Sequence, residues 1–423
     1  METYAQILLI AMPVFFLFVL GEQAYGYFAK KHPFKNMDTI SSLSSGFTNS
    51  LKDVLGLSIA IITYAWFVDK VAIFDIKSTI AVGVVAFIAL DFAGYWIHRM
   101  SHQINFFWNK HAIHHSSEEF NLACALRQSI STFINLFTVF LLPAALLGVP
   151  ATIIAIIAPI HLFAQFWYHT IYIKKMGFLE KFLVTPSHHR VHHAINPEYL
   201  DRNHGQIFII WDKLFGTFQV ELEDVPPVYG ITRPVRTWNP FKINFQHLWL
   251  LMKDAWRADS WKDKFRIWFM PTGWRPEGFE EKYPVEKIQD PYNFQKYAPE
   301  STRATITWSW VQFLFTFFLL CVLYASVGTL ALPQLIGFGA FIFLGIYAYT
   351  EFMDRNPFSI GWEIARNLIG MVILFKTGWF GMVDTMPWLF AVLVAYFVIS
   401  SVVTFVFVRS FAKDADNSPI AFG

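Results

Sequence analysis

Fourteen histidines stand in this 423-residue chain, and most of them fall in three short clusters. The first is His98-Arg-Met-Ser-His102, the second His111-Ala-Ile-His114-His115, and the third His188-His189-Arg-Val-His192-His193. Within the third, His189, His192 and His193 repeat the spacing of the second. On a helix, residues i, i+3 and i+4 lie on one face, so each cluster can aim two or three imidazoles at one point. His169, at the same end of an apolar segment, supplies a ninth nitrogen. One ion takes roughly four to six ligands, so the set suits two metals, and imidazole favours Fe, Zn, Cu or Ni over Mg or Ca. The two cysteines, Cys124 and Cys321, provide neither a disulfide scaffold nor a thiolate zinc site.

A metal-bound imidazole usually donates its second N–H to a carboxylate or carbonyl. Asp91, two turns before His98 on the same helix face, is the expected orienter. Glu118, Glu119, Asn203 and Asp212 are further polar neighbours in sequence. His188 is out of phase with its cluster and is expected beside a ligand rather than on a metal. His161 lies roughly 12 Å deeper than His169 by helix rise and is expected as a wall or hydrogen-bonded residue. His32, His204 and His247 are expected outside the ligand set.

The elements that must carry these clusters are apolar. The chain is 55% hydrophobic, 18% aromatic and 15% charged, which is too few charges for an ordinary soluble domain. The net charge of +2 gives no basic field for nucleic acid. Runs near 5–28, 54–74, 78–97, 132–149, 151–170, 305–324, 329–350, 361–381 and 387–408 are each read as membrane spans, about nine in all. Short loops rich in Lys and Arg mark the cytoplasmic side, and that assignment puts every histidine cluster on the cytoplasmic face. Residues 243–270 mix Trp249, Trp256, Trp261 and Trp268 with Lys253, Arg257, Lys262, Lys264 and Arg266. That is the pattern of helices lying in the headgroup layer. The expected fold is an all-α integral membrane bundle with interfacial helices and a cytoplasmic, histidine-rich di-metal cap. The expected divisions are N-terminal transmembrane helices over 1–77, a catalytic region over 78–304 and C-terminal transmembrane helices over 305–423.

The order HxxxH, HxxHH, HxxHH resembles that of the fatty acid hydroxylase / sterol desaturase superfamily, and within it the alkylglycerol monooxygenase branch. The stretches that carry the likeness are DFAGYWIHRMSH, HAIHHSSEEFNLACALRQS, AQFWYHT, TPSHHRVHHAINPEYLDRNHG and IIWDKLFGTFQ, roughly residues 85–220. By position, His98, His102, His111, His114, His115, His169, His189, His192 and His193 match that family's metal ligands. The resemblance implies two Fe ions, O₂ and a membrane lipid substrate. It also implies a reductant, either tetrahydrobiopterin or a separate electron-transfer partner. Where the branch often has Glu after the second histidine of HxxxH, this chain has Gln103, the position expected to meet a pterin. Where some members have a further histidine, it has Gln165, expected near the metals together with His188 and Asp91. Arg127, Arg190 and His161 are the candidate substrate contacts, the two arginines for a lipid headgroup.

The function expected is therefore O₂-dependent hydroxylation of a lipid C–H bond, with cleavage of glyceryl ethers as one form. The alternative is hydroxylation or desaturation of a sterol, fatty acid, carotenoid or ornithine lipid. A metal transporter would need polar groups along a path through the bilayer, and spans four to seven offer almost none besides His161. The bacterial inner membrane and the endoplasmic reticulum are the expected locations. The oligomeric state is not legible in the chain.

Overall fold

A computed structural model describes residues 2–30, 34–57, 59–60, 63–77, 79–131, 134–135 and 137–417. The fold is helical, and among the described residues the one strand pairing joins Ile59–Ala60 to Ile134–Asn135. His32 lies outside the described residues.

Among the described residues, five helices are long and apolar enough to cross a membrane: Glu2–Lys30, Ile80–Gln103, Arg303–Ala325, Leu332–Met353 and Trp388–Phe411. The hydropathy reading had expected about nine. Segment 54–74 contains only the short helix Tyr64–Val71 among its described residues. Segment 132–149, partly outside the described residues, breaks into Phe137–Phe140 and Leu142–Leu146. The helix Ala151–Phe163 has 13 residues, or about 20 Å, short of the roughly 30 Å of a hydrocarbon core. Ser359–Thr377 is long enough but carries Glu363, Arg366 and Lys376.

The helix α1 (Glu2–Tyr25) shares one core with α2 (Asn36–Val54) and the helices after residue 302. Helix α2 holds five serines and two threonines, yet nearly all of it is buried. Its hydroxyls are satisfied inside the protein: Ser41 donates to the Trp238 carbonyl at 2.7 Å, and Ser50 accepts from the Tyr324 hydroxyl at 2.8 Å.

Helix α3 (Ile80–Gln103) starts at Thr79, whose hydroxyl accepts the Val82 N–H. It ends at Ile104, which is extended, and α4 (Asn105–His115) begins at the next residue. That one-residue break folds the second histidine cluster back over the first. The corner is held by residues 267–274. The side-chain amide of Asn105 donates to the carbonyls of Ile267 (2.9 Å) and Trp274 (3.1 Å), and its oxygen accepts the Gly273 N–H (2.8 Å). Helix α5 (Ala151–Phe163) packs on α3 and leads to His169. Helix α6 (Pro186–His192) is seven residues long, with proline in its first turn and His193 at its C-cap. Helices α7 (Pro240–Arg257) and α8 (Trp261–Phe269) bury Ile243, Leu250, Leu251 and Ile267 and leave Trp256 and Trp261 more than four-fifths exposed.

Candidate metal centre

The nine histidines at the expected ligand positions converge into two groups. In one, the ligand atoms of His98, His102, His111, His115 and His192 all lie within 4.8 Å of one another; in the other, so do those of His114, His169, His189 and His193. Helical geometry makes the partition. On α4, His111 and His115 (i, i+4) go to the first group and His114 to the second. On α6 and its cap the pattern inverts: His189 and His193 (i, i+4) go to the second group and His192 to the first. Each HxxHH motif thus bridges both halves.

Backbone carbonyls set the tautomers. His98 Nδ1 donates to the His204 carbonyl at 2.7 Å, His192 Nδ1 to Arg202 at 2.9 Å, His169 Nδ1 to Gln165 at 3.1 Å and His114 Nδ1 to Arg127 at 3.3 Å. A carbonyl only accepts, so the proton sits on Nδ1 and the Nε2 lone pair is bare. His102 Nδ1 lies 3.1 Å from the Asp201 carboxylate.

The Nε2 atoms face each other. Nε2 to Nε2, His98–His111 is 2.9 Å, His111–His115 3.0 Å, His102–His115 3.2 Å, His169–His189 2.8 Å, His189–His193 3.0 Å and His114–His169 3.4 Å. His114 and His169 both carry their protons on Nδ1, so no hydrogen bond can join their Nε2 atoms. His192 Nε2 and His189 Nδ1 are buried with no partner. Where both partners carry the proton on Nδ1, as His114 and His169 do, the facing lone pairs repel until a cation takes them. Two ligand atoms at right angles, each about 2.1 Å from a shared ion, lie about 3 Å apart, which is the spacing found. The donor set fits two metal ions.

Burial, reinforced by the neighbouring imidazoles, holds His111, His115, His169, His189, His192 and His193 well below the ordinary histidine pKa; burial brings His114 down to about 4. The rings are neutral at physiological pH, the form that binds metal. Aromatic rings wall the set: Tyr168 lies 4.3 Å from His189, Trp108 5.2 Å from His102 and Phe120 5.3 Å from His193. Phe120 stacks on Tyr229 at 5.1 Å, and beyond this pair lies a cavity of about 340 Å³ that Glu119, Phe34 and Lys296 also line.

Several expected neighbours sit elsewhere. Asp91 touches no converging ring. It accepts from His161 Nε2 (2.9 Å), Trp211 Nε1 (2.8 Å) and the Ile207 and Phe208 N–H groups (2.8 and 3.1 Å). It ties α3 to α5 and to the loop after α6, while a carbonyl orients His98. Asp91→Ala would leave several buried donors unpaired and is expected to cost about 3 kcal/mol or more of stability. Thermal unfolding in detergent reads this, and a shift worth under about 1 kcal/mol would contradict it.

Gln165 uses its side chain on His161 at 3.2 Å; its carbonyl is what reaches His169. His188 points away from the cluster, to the Leu183 carbonyl at 3.3 Å. Gln103 is exposed. The two arginines expected at a headgroup are buried ion-pair partners instead. Arg127 pairs with Asp38 at 2.8 Å, and Arg190 with Glu221 at 2.7 Å. Glu118, Glu119, Asn203 and Asp212 touch no converging ring through their side chains. Asp212 acts one step back, accepting the His204 N–H at 2.7 Å. That bond needs Gly205, where a Cβ would stand 2.7 Å from the Phe208 carbonyl oxygen. His247 Nε2 donates to the Asn105 carbonyl at 3.0 Å, away from both groups. Sequence reasoning missed Asp201, whose positive φ of 56° turns the loop beside His102.

A fatty acid hydroxylase family model matches residues 83–217, the stretch that carries all nine rings. The chain is 33% identical to alkylglycerol monooxygenase of Homo sapiens over 377 residues, 87% of this chain and 82% of the relative. It is 36% identical to alkylglycerol monooxygenase of Xenopus tropicalis over 288 residues, 66% of this chain and 63% of the relative. It is 30% identical to ornithine lipid hydroxylase OlsE of Rhizobium tropici over 155 residues, 36% of this chain and 46% of the relative. No solved structure matches.

Proposed function

The chain belongs to the fatty acid hydroxylase family, alongside the alkylglycerol monooxygenases, and from that premise we propose that it is a di-iron lipid monooxygenase acting on glyceryl ethers. The observation that carries the metal reading is the meeting of nine imidazoles in two groups with Nε2 atoms about 3 Å apart, four of them left bare by an Nδ1–carbonyl bond. His98, His102, His111, His115 and His192 hold one iron, and His114, His169, His189 and His193 the other. When bound, the iron pair supplies the O₂ activation and redox chemistry that an unactivated C–H bond requires and side chains lack. The overall change takes one C–H bond, O₂, two electrons and two protons to C–OH and water. On a carbon next to an ether oxygen, the product is a hemiacetal that falls apart to an aldehyde and an alcohol.

The protein's own part is orientation and exclusion of water. Carbonyls fix the rings, and Trp108, Phe120 and Tyr168 keep the site dry. The substrate comes from the bilayer. Five spanning-type helices and the exposed Trp256 and Trp261 of α7 and α8 support a cap that rests on the headgroup layer, and the Lys- and Arg-rich short loops support the cytoplasmic side for it. The electrons come from tetrahydrobiopterin or a separate donor.

The test is iron analysis of purified protein together with mass spectrometry of lipids from cells with and without it. Two irons per chain and loss of alkylglycerol lipids with rise of the matching aldehyde support the reading. A hydroxylated lipid with intact ether bonds would instead favour a different lipid chain as substrate. Protein without iron would end the metal reading. Gln103 sits at the exposed end of α3, and Gln103→Glu is expected to raise tetrahydrobiopterin-dependent turnover. Unchanged turnover would remove this position from the choice of reductant.

A further inference from the structure

His204 is one of the histidines outside the two metal groups. Its side chain is fully buried; the Asp201 backbone approaches the ring, but neither ring nitrogen makes a well-formed hydrogen bond. Yet its ring centre lies 5.0 Å from that of His102 and 5.7 Å from those of His98 and His192, three members of the five-histidine half. The backbone keeps it there. The His204 N–H donates to Asp212 Oδ1 at 2.7 Å, the Gly205 N–H donates to Asp212 Oδ2 at 2.7 Å, and the His204 carbonyl holds His98.

A neutral imidazole offers one donor and one acceptor, and leaving both unmet in a buried place is costly. None of the nearby rings can meet them. The Nδ1 atoms of His98, His102 and His192 are committed to His204's own carbonyl, to Asp201 and to the Arg202 carbonyl. Their Nε2 atoms belong to the converging set. His204 does not join that set itself. Five imidazoles leave one position of a six-coordinate ion for a small molecule. We propose that His204 hydrogen-bonds the exogenous ligand, water or a small anion, that fills the position left open by the five histidines. The inference rests on the metal reading above and makes His204 a positioning residue.

The probe is azide, titrated into the full chain in detergent with its iron oxidised to the ferric state, and followed by the charge-transfer absorption band. His204→Phe is expected to weaken azide binding in one class of site by about tenfold, the worth of one hydrogen bond, with both irons retained. His204→Gln, which keeps a donor and an acceptor, is expected to stay within about threefold of the parent. Should the phenylalanine variant not fold, His204→Ala makes the same comparison without added bulk. An unchanged titration in every class of site overturns the inference. So does loss of one iron from His204→Phe, which would make His204 a ligand. Parent protein that takes up no iron overturns the metal reading, and this inference with it.

Discussion

His192→Ala is expected to abolish lipid oxidation, by at least about 100-fold, and to lower bound iron from about two to about one per chain. His192 sits in the five-histidine half, while His189 and His193 on the same helix serve the other. The substitution removes one donor from the first group and leaves the second group's donors and their carbonyl anchors in place. His114→Ala should do the converse, removing a donor from the four-histidine half, where each ligand is a larger share of the set. The pair of variants therefore reads out the partition and not merely the need for histidine. Iron analysis with lipid turnover on the same preparation decides it. His32→Ala, outside the clusters, is expected to change neither quantity, and an equal loss there would refute the assignment. Equal loss of both irons in each variant would mean that the two halves load as one unit.

The histidine spacing made the site legible because the helix repeat is a strong local rule. Residues i, i+3 and i+4 had to share a face, and the structure brings the nine rings together. The division between halves was not legible, because it depends on how α4 and α6 cross, and nothing within either motif states that. Asp91 misled for a related reason. It lies on the right face of α3, but the loop after α6 reaches it first with two N–H groups and the Trp211 indole, and a carbonyl from the same loop takes His98. Loop carbonyls leave no mark in a sequence. Hydropathy also misjudged the bundle. It reports what faces lipid, so it passed over α2, a serine-rich helix surrounded by protein, and joined the broken apolar pieces near 132–149 into a span.

The largest stability effect is expected from Asp38→Ala, at about 3–5 kcal/mol, because it strands a buried charge. Asp38 and Arg127 are each 1% exposed and pair at 2.8 Å. The guanidinium also donates to the Ser42 and Ser116 hydroxyls at 2.9 and 2.7 Å, and Ser117 donates to Asp38 at 2.7 Å. The pair joins α2 to the loop that follows α4, and the carbonyl of Arg127 is the group that orients His114. Removing the carboxylate leaves the cation with hydroxyl dipoles only, in a place closed to water. Replacing both partners with apolar residues, Asp38→Leu with Arg127→Met, is expected to recover most of the loss, since it removes the charge along with its counter-ion. Thermal unfolding of the parent, Asp38→Leu, Arg127→Met and the double variant in one detergent forms a double-mutant cycle that isolates the pair. The same series tests the rival role for Arg127. A headgroup contact predicts a raised KM with stability intact in the Arg127 variant, whereas a structural cation predicts a lowered Tm that the second substitution moves.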